Sequence, residues 1–246
     1  MNTLISGCSF TQWADYVGGP NTCWPRFLKE INPTLNIVTV AEAAAGNQYI
    51  CDSVIRSVLA NRPDQVLVMW SGISRLDYLT SLEDPAWESL FDSYGFYRRL
   101  PDGKLGYIFS GGQMGTWFKN PVAHKMFNEM YKVSSQLSLA HINLMEIVKL
   151  QNFLVAQRIP YRFMTYVNYW KTGDHLSPNG DFGVMSLPEI RYLIDSIDFS
   201  QWIFTNQQRD GVYELALELN DFLPDGFHPG EHAQRAWAAL VNQQLG

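Results

Sequence analysis

The sequence predicts an α/β fold: a three-layer α/β/α sandwich built around a parallel sheet. Two patterns and one magnitude lead there. Short β-branched runs alternate with stretches of helical spacing over the first seventy residues, a β-α-β-α-β order that implies parallel strands joined by right-handed crossovers. The run from Gln65 to Trp70 is apolar after its first residue, as expected of a strand covered on both faces. The chain has 246 residues, 46% of them hydrophobic. A domain of that length buries about three quarters of its unfolded surface and needs no staples.

The elements follow in order. Leu4-Ile5-Ser6 is a short apolar strand that runs into Gly7 and then Cys8-Ser9-Phe10-Thr11. A polar, glycine-bearing loop spans Asp15 to Asn21. Trp24-Pro25-Arg26-Phe27-Leu28 opens a helix, since proline is pre-set for a first helical turn. Leu35 to Val40 reads as the second strand, and Gln48 to Ala60 as a helix with Ile50, Val54, Ile55, Val58 and Leu59 at helical spacing. Residues 79–135 break the rhythm and carry Trp87, Phe91, Tyr94, Phe96, Tyr97, Tyr107, Phe109, Trp117 and Phe118. This stretch is expected to be an insertion or cap within one domain spanning 1–246. Its aromatic rings suit sugar stacking or a protein partner, and equally a small core of its own. Ser138 to Gln157 is a long helix, and Tyr161 to Tyr166 a fourth strand. Asn168 to Leu187 is irregular, and Ser200 to Phe204 reads as either a short strand or a helix end. Glu214 to Asp221 and Glu231 to Leu245 are helical.

Composition narrows the function. The formal net charge is −6 with no basic run, which argues against a nucleic-acid partner. No stretch approaches 18 uninterrupted apolar residues, and no basic segment followed by an apolar run marks a signal peptide at the N-terminus. Cys8, Cys23 and Cys51 have neither zinc spacing nor a disulfide pattern and read as buried thiols. Oligomeric state is not readable.

Two segments carry chemistry. A strand that stops at a tight turn presents its next side chain at the C-terminal edge of the sheet, where open α/β sheets bind and react. Ser9 stands there, and a serine needs a base and a group to orient that base. Asp225-Gly226-Phe227-His228-Pro229 near the other end supplies both. Three residues of separation let the Asp225 carboxylate reach Nδ1 of His228 and leave Nε2 for the serine. Ser9 is also a plausible plain cap, and Asp225 and His228 plausible caps of the last helix. Cys8 points to the other strand face from Ser9, His232 is one turn beyond the pair, and Asp174-His175 is a rival dyad.

Gly7-Cys8-Ser9-Phe10-Thr11 resembles the first block of the SGNH/GDSL hydrolases, with Cys8 where aspartate is usual, and Asp225 to His228 resembles their final Asp-x-x-His block. Glu42-Ala43-Ala44-Ala45-Gly46-Asn47 falls where the second block belongs. The spelling is similar to a branch seen in phage and bacterial surface-polysaccharide settings. The resemblance implies a flavodoxin-like sandwich and a serine esterase with Ser9 as nucleophile, His228 as base and acid, and Asp225 orienting it. The backbones of Ser9 and Gly46 would form the oxyanion hole. It implies no metal and no cofactor, and a substrate that is a small ester or an acylated glycan, an O-acetyl group on a carbohydrate being the natural case. The third block departs from the family's Gly-x-Asn-Asp. Trp70-Ser71-Gly72-Ile73-Ser74-Arg75 puts Ser74 at the asparagine position with Arg75 beside it, so Ser74 or Arg75 is expected to assist the oxyanion hole by donating hydrogen bonds, and Arg75 and Asn47 to contact substrate. Asn47 also reads as a helix N-cap. The rival functions are a non-catalytic glycan- or protein-binding, virion-associated protein on the same scaffold, and a binder that uses the Gly7 loop as an anion cradle.

Overall fold

The computed structural model describes residues 1–12, 23–83, 97–112 and 121–245. The loop expected over Asp15 to Asn21, and Trp87, Phe91, Tyr94, Phe96, Trp117 and Phe118, lie outside the described residues.

Four strands form the central parallel sheet: β1 (Asn2–Ser6), β2 (Asn36–Thr39), β3 (Gln65–Trp70) and β7 (Tyr161–Thr165), in the order β2-β1-β3-β7. Leu4 sits opposite Val38 on one side and Val66 on the other, and Val68 opposite Phe163. β3 is buried at all six positions, whereas β2 is an edge strand with Val38 half exposed. The run at Ser200 to Phe204 combines short pieces of the two forms expected. A 3₁₀ turn over Phe199–Gln201 leads into a single parallel bridge between Trp202 and Phe163, and Ile203 N–H donates to Phe163 O at 2.8 Å.

Helix α1 (Trp24–Ile31) follows β1, and α2 (Asn47–Ala60) follows β2. β2 lies on one side of β1 and β3 on the other, so the winding reverses at β1 and the two crossover helices cover opposite faces. The 21-residue α4 (Gln136–Ala156) packs on α2, and the C-terminal α7 (Glu231–Gln243) packs on α1. Among the described residues the other α-helices are α3 (Pro121–Val133), α5 (Arg191–Asp195) and α6 (Val212–Leu219).

Between β3 and α4 a second, antiparallel sheet runs β4 (Asp77–Ser81), β6 (Leu105–Phe109), β5 (Tyr97–Arg99). It lies in the stretch where the rhythm of the sequence breaks. Tyr107 and Phe109 are buried there and pack on Tyr49 of α2, with ring centroids 5.4 and 5.1 Å apart. These two rings therefore form core, while Tyr97 is half-buried.

Candidate active site

The C-terminal ends of β1, β2, β3 and β7 face one edge, and the turn after each strand lies there. Ser9 stands at β1, where the winding reverses. Its turn is closed by Thr11 N–H and Gln12 N–H donating to Cys8 O at 2.9 and 3.0 Å. A Cβ on Gly7 would come within 2.3 Å of Thr11 Oγ1 and 3.0 Å of Met69 O, so only glycine lets the turn seat this closely against β3.

The second segment arrives as a pinned loop. Phe222 and Pro229 pair as an isolated bridge, and Leu223 N–H donates to His228 O at 2.7 Å. Asp221 accepts from Ala233 N–H at 2.7 Å at the start of α7. Gly226 turns the chain with φ of +69°, which glycine adopts without strain. Both Phe227 N–H and His228 N–H then donate to Asp225 Oδ1 at 2.9 Å. The seam between α1 and α7 sets the distance between the segments: Trp24 N–H donates to Gln234 Oε1 at 3.0 Å, and Trp24 Nε1 to Thr11 Oγ1 at 3.3 Å.

The result is a hydrogen-bonded chain of three side chains. His228 Nδ1 lies 2.6 Å from Asp225 Oδ2, and His228 Nε2 lies 2.7 Å from Ser9 Oγ. The imidazole sits among rings, its centroid 5.0 Å from both Phe10 and Phe227. Burial lowers the His228 pKa, the Asp225 carboxylate pulls it back up, and the Arg75 cation adds to the lowering. For Asp225, burial alone would raise the pKa, but donation from Phe227 and His228 holds it below the usual carboxylate value. A neutral imidazole held by a carboxylate can take a proton from the hydroxyl that it faces.

Of the other residues expected at the site, three have their polar groups committed elsewhere. Gly46 N–H, expected at the oxyanion, donates to Asp77 Oδ1 at 2.8 Å. A Cβ at Gly46 would meet that carboxylate within 2.8 to 3.0 Å, so the glycine serves the approach of Asp77. Asp77 Oδ2 also accepts Tyr49 N–H at 2.8 Å, and the one carboxylate thereby caps α2. Burial, against these two hydrogen bonds and Arg75, pushes the Asp77 pKa up to about 7. Asn47 is the first residue of α2 and not its cap; its Oδ1 accepts Ser71 N–H at 2.8 Å and its Nδ2 donates to Ser71 O at 3.3 Å. Ser74, expected to replace the missing asparagine, donates its hydroxyl to Asp181 Oδ1 at 2.9 Å, and its N–H reaches the same atom at 3.2 Å.

Asp181 is a residue that the sequence reading passed over. It is buried, Ser177 Oγ donates to its Oδ2 at 2.6 Å, and Tyr166 Oη donates to the same atom. Asn143 of α4 donates to Ile73 O at 2.9 Å and Arg75 O at 3.2 Å, and Tyr131 Oη lies 2.9 Å from Ser74 O. The turn after β3 is thus clamped from α2, α3, α4 and the irregular stretch around Asp181. Nothing in the spacing of Asp181 marks this role, because its partners lie up to 107 positions away. The rival pair separates: Asp174 accepts from Gln136 at 2.8 Å and His175 is exposed. Cys8 is fully buried.

Solved structures share this architecture across the whole chain. A psychrotrophic esterase EstA from Pseudoalteromonas sp. is 10% identical, covers 99% of this chain and 96% of its own, and superposes with a TM-score of 0.51. The chain has the fold of the SGNH esterases. An acetyl xylan esterase, AlAXEase, is 11% identical over 100% of both chains with a TM-score of 0.51. A catalytic mutant of an acetylxylan esterase from Geobacillus stearothermophilus is 13% identical over 100% of this chain and 94% of its own, with a TM-score of 0.50. No family model matches the chain, and no curated protein matches it either. At these identities the likeness is one of fold. Among the described residues no helix is long and apolar enough to cross a membrane.

Proposed function

We propose that this protein is a serine esterase acting on a small acyl ester, an O-acetyl group on a carbohydrate being the preferred substrate, within a single SGNH-type domain. The observation that carries the reading is the Ser9–His228–Asp225 chain, with contacts of 2.7 and 2.6 Å, at the sheet edge where the winding reverses. Two of the fold neighbours are acetyl xylan esterases, which supports the choice of acyl group and alcohol.

The chemistry follows from the geometry. Ser9 Oγ attacks the ester carbonyl while its proton passes to His228 Nε2. Asp225 stabilises the imidazolium and holds the tautomer in which Nδ1 carries a proton. The tetrahedral intermediate collapses, and the leaving alcohol takes the proton back from Nε2. Water then attacks the acyl-serine by the same steps in reverse order of partners. The group requires no metal or cofactor for this sequence.

Hydrolysis of p-nitrophenyl acetate by wild type and Ser9→Ala tests the reading. Turnover should vanish in the variant with little change in melting temperature, because Ser9 contributes one hydroxyl to a turn held by backbone bonds. Retained turnover would sink the proposal. A second reading, a glycan-binding protein without activity, draws on the commitment of Gly46 N–H and Ser74 to carboxylates. It predicts glycan binding with no hydrolysis of any activated ester.

A further inference from the structure

A developing oxyanion needs donors aimed at it. With Gly46, Asn47 and Ser74 committed, two donors at this edge matter most among the described residues. One is the Ser9 N–H, which no described backbone or side-chain acceptor takes. The other is Arg75.

Arg75 is 3% exposed. Its Nη1 donates to Ala45 O at 3.0 Å. Its Nε–H has no acceptor among the described residues. Among those residues it has no ion-pair partner, and Asp181 and Asp77 act on it only through the longer-range field. Taking a cation out of water without a direct counter-charge is costly, and a group held so is a candidate for function. Topology fixes where it lies. Arg75 belongs to the turn after β3 and Ala45 to the turn after β2, with β1 between those strands. A side chain that reaches from one turn to the other must cross the end of β1, which is where Ser9 stands. Its position is held from behind: Asn143 grips its carbonyl, and the Tyr166 ring lies 5.8 Å from its guanidinium carbon. The field of this cation is also felt at His228.

We propose that the Arg75 guanidinium is the charged oxyanion donor of this site, a catalytic residue that works with the Ser9 N–H in place of the asparagine that the third block lacks. This rests on the esterase reading and deepens it. As Ser9 Oγ bonds to the carbonyl carbon, the proton of Ser9 goes to His228 Nε2 and the carbonyl π pair moves onto oxygen. That oxygen accepts from Ser9 N–H and from Arg75. On collapse the pair returns to re-form the carbonyl, and the alkoxide departs with the proton from Nε2. A guanidinium has five N–H donors and full charge, so it is a stronger partner for an anion than a neutral amide.

The test compares wild type, Arg75→Met and Arg75→Lys on p-nitrophenyl acetate. The Met variant should lose about 10²- to 10³-fold in kcat, with KM within about threefold of wild type, and the Lys variant should lose less. A kcat for folded Arg75→Met close to that of wild type overturns the proposal. Should the Met variant not fold, wild type carries the test. The Arg75 Nε–H signal in ¹⁵N NMR, assigned by its absence in Arg75→Lys, should move when a fluorophosphonate phosphonylates Ser9. An unmoved signal overturns the proposal. Wild type that neither turns over nor forms a Ser9 adduct defeats the esterase reading and this one together. Wild type that does both, beside an unimpaired Met variant, defeats the Arg75 role alone.

Discussion

His228 is the residue whose environment is most directly measurable. Its pKa lies below 6.5 because burial outweighs the pull of Asp225 and Arg75 adds a like charge. Activity that requires neutral imidazole falls as pH drops through that lowered value. The acid limb of kcat/KM should therefore have its midpoint below 6.5, the ordinary histidine value. Removal of a nearby cation eases protonation, so Arg75→Met should move the limb to higher pH. A pH profile with the limb at or above 6.5 in wild type would contradict this account of the site. Asp225 is held in two ways, by two backbone N–H groups on Oδ1 and by the imidazole on Oδ2. Asp225→Asn can keep the first set but presents the wrong partner to Nδ1–H, so kcat should fall by up to about 10⁴ with the loop still closed. Steady-state kinetics alongside a thermal melt checks both halves of that statement. For stability the signs agree. Asp225 and His228 both have folded pKa values below their ordinary ones. Each therefore contributes stability above its unfolded pKa that is lost as pH falls through the folded one.

The turn after β3 is the element that positions Ser74 and Arg75. Asp181→Ala would leave Ser177, Tyr166 and Ser74 without the acceptor that they share. Buried polar groups left unpaired cost roughly 1–3 kcal/mol each, so this variant should lose several kcal/mol in chemical denaturation. A loss under about 1 kcal/mol would mean that the carboxylate is not the centre of the clamp. Here the sequence was least informative. Asp225 and His228 lie three positions apart, so their pairing could be read from spacing, whereas Ser9, 219 positions from His228, was tied to them through the resemblance of its block to the SGNH/GDSL pattern. Ser74 and Gly46 stand at the positions that the family pattern assigns, yet their hydrogen bonds are decided by Asp181 and Asp77. Those carboxylates reach them across 107 and 31 positions. Periodicity carries no trace of such pairings. The parallel strands and the helices α1, α2, α4, α6 and α7 were legible because their apolar spacing is local, whereas α3, inside the stretch expected as an insertion, and the five-residue α5 were not. The antiparallel sheet of β4, β5 and β6 was not, since its strands are three to five residues long and lie among glycines and aromatics without clear alternation.

The two ends of the chain meet because α1 and α7 pack together, and that packing is where global stability and the proposed activity meet. Trp237 is fully buried on α7, and Arg235 of the same helix pairs with Glu30 of α1 at 2.9 Å. Trp237→Ala should cost about 3–5 kcal/mol, seen as a lower denaturation midpoint. The exposed Arg235–Glu30 pair should contribute no more than about 1 kcal/mol. The sheet order β2-β1-β3-β7 then explains why the site is where it is: the winding reverses at β1, and the loop after β1 and the pinned loop before α7 place Ser9 and His228 within 2.7 Å. The most direct test of that juxtaposition is intact-protein mass spectrometry after exposure to a fluorophosphonate, with the adduct mapped by peptide. The account predicts a single phosphonyl group on Ser9 in wild type, and none in Ser9→Ala or His228→Ala at the same dose. An unlabelled wild-type Ser9, or labelling that persists undiminished in His228→Ala, would contradict it.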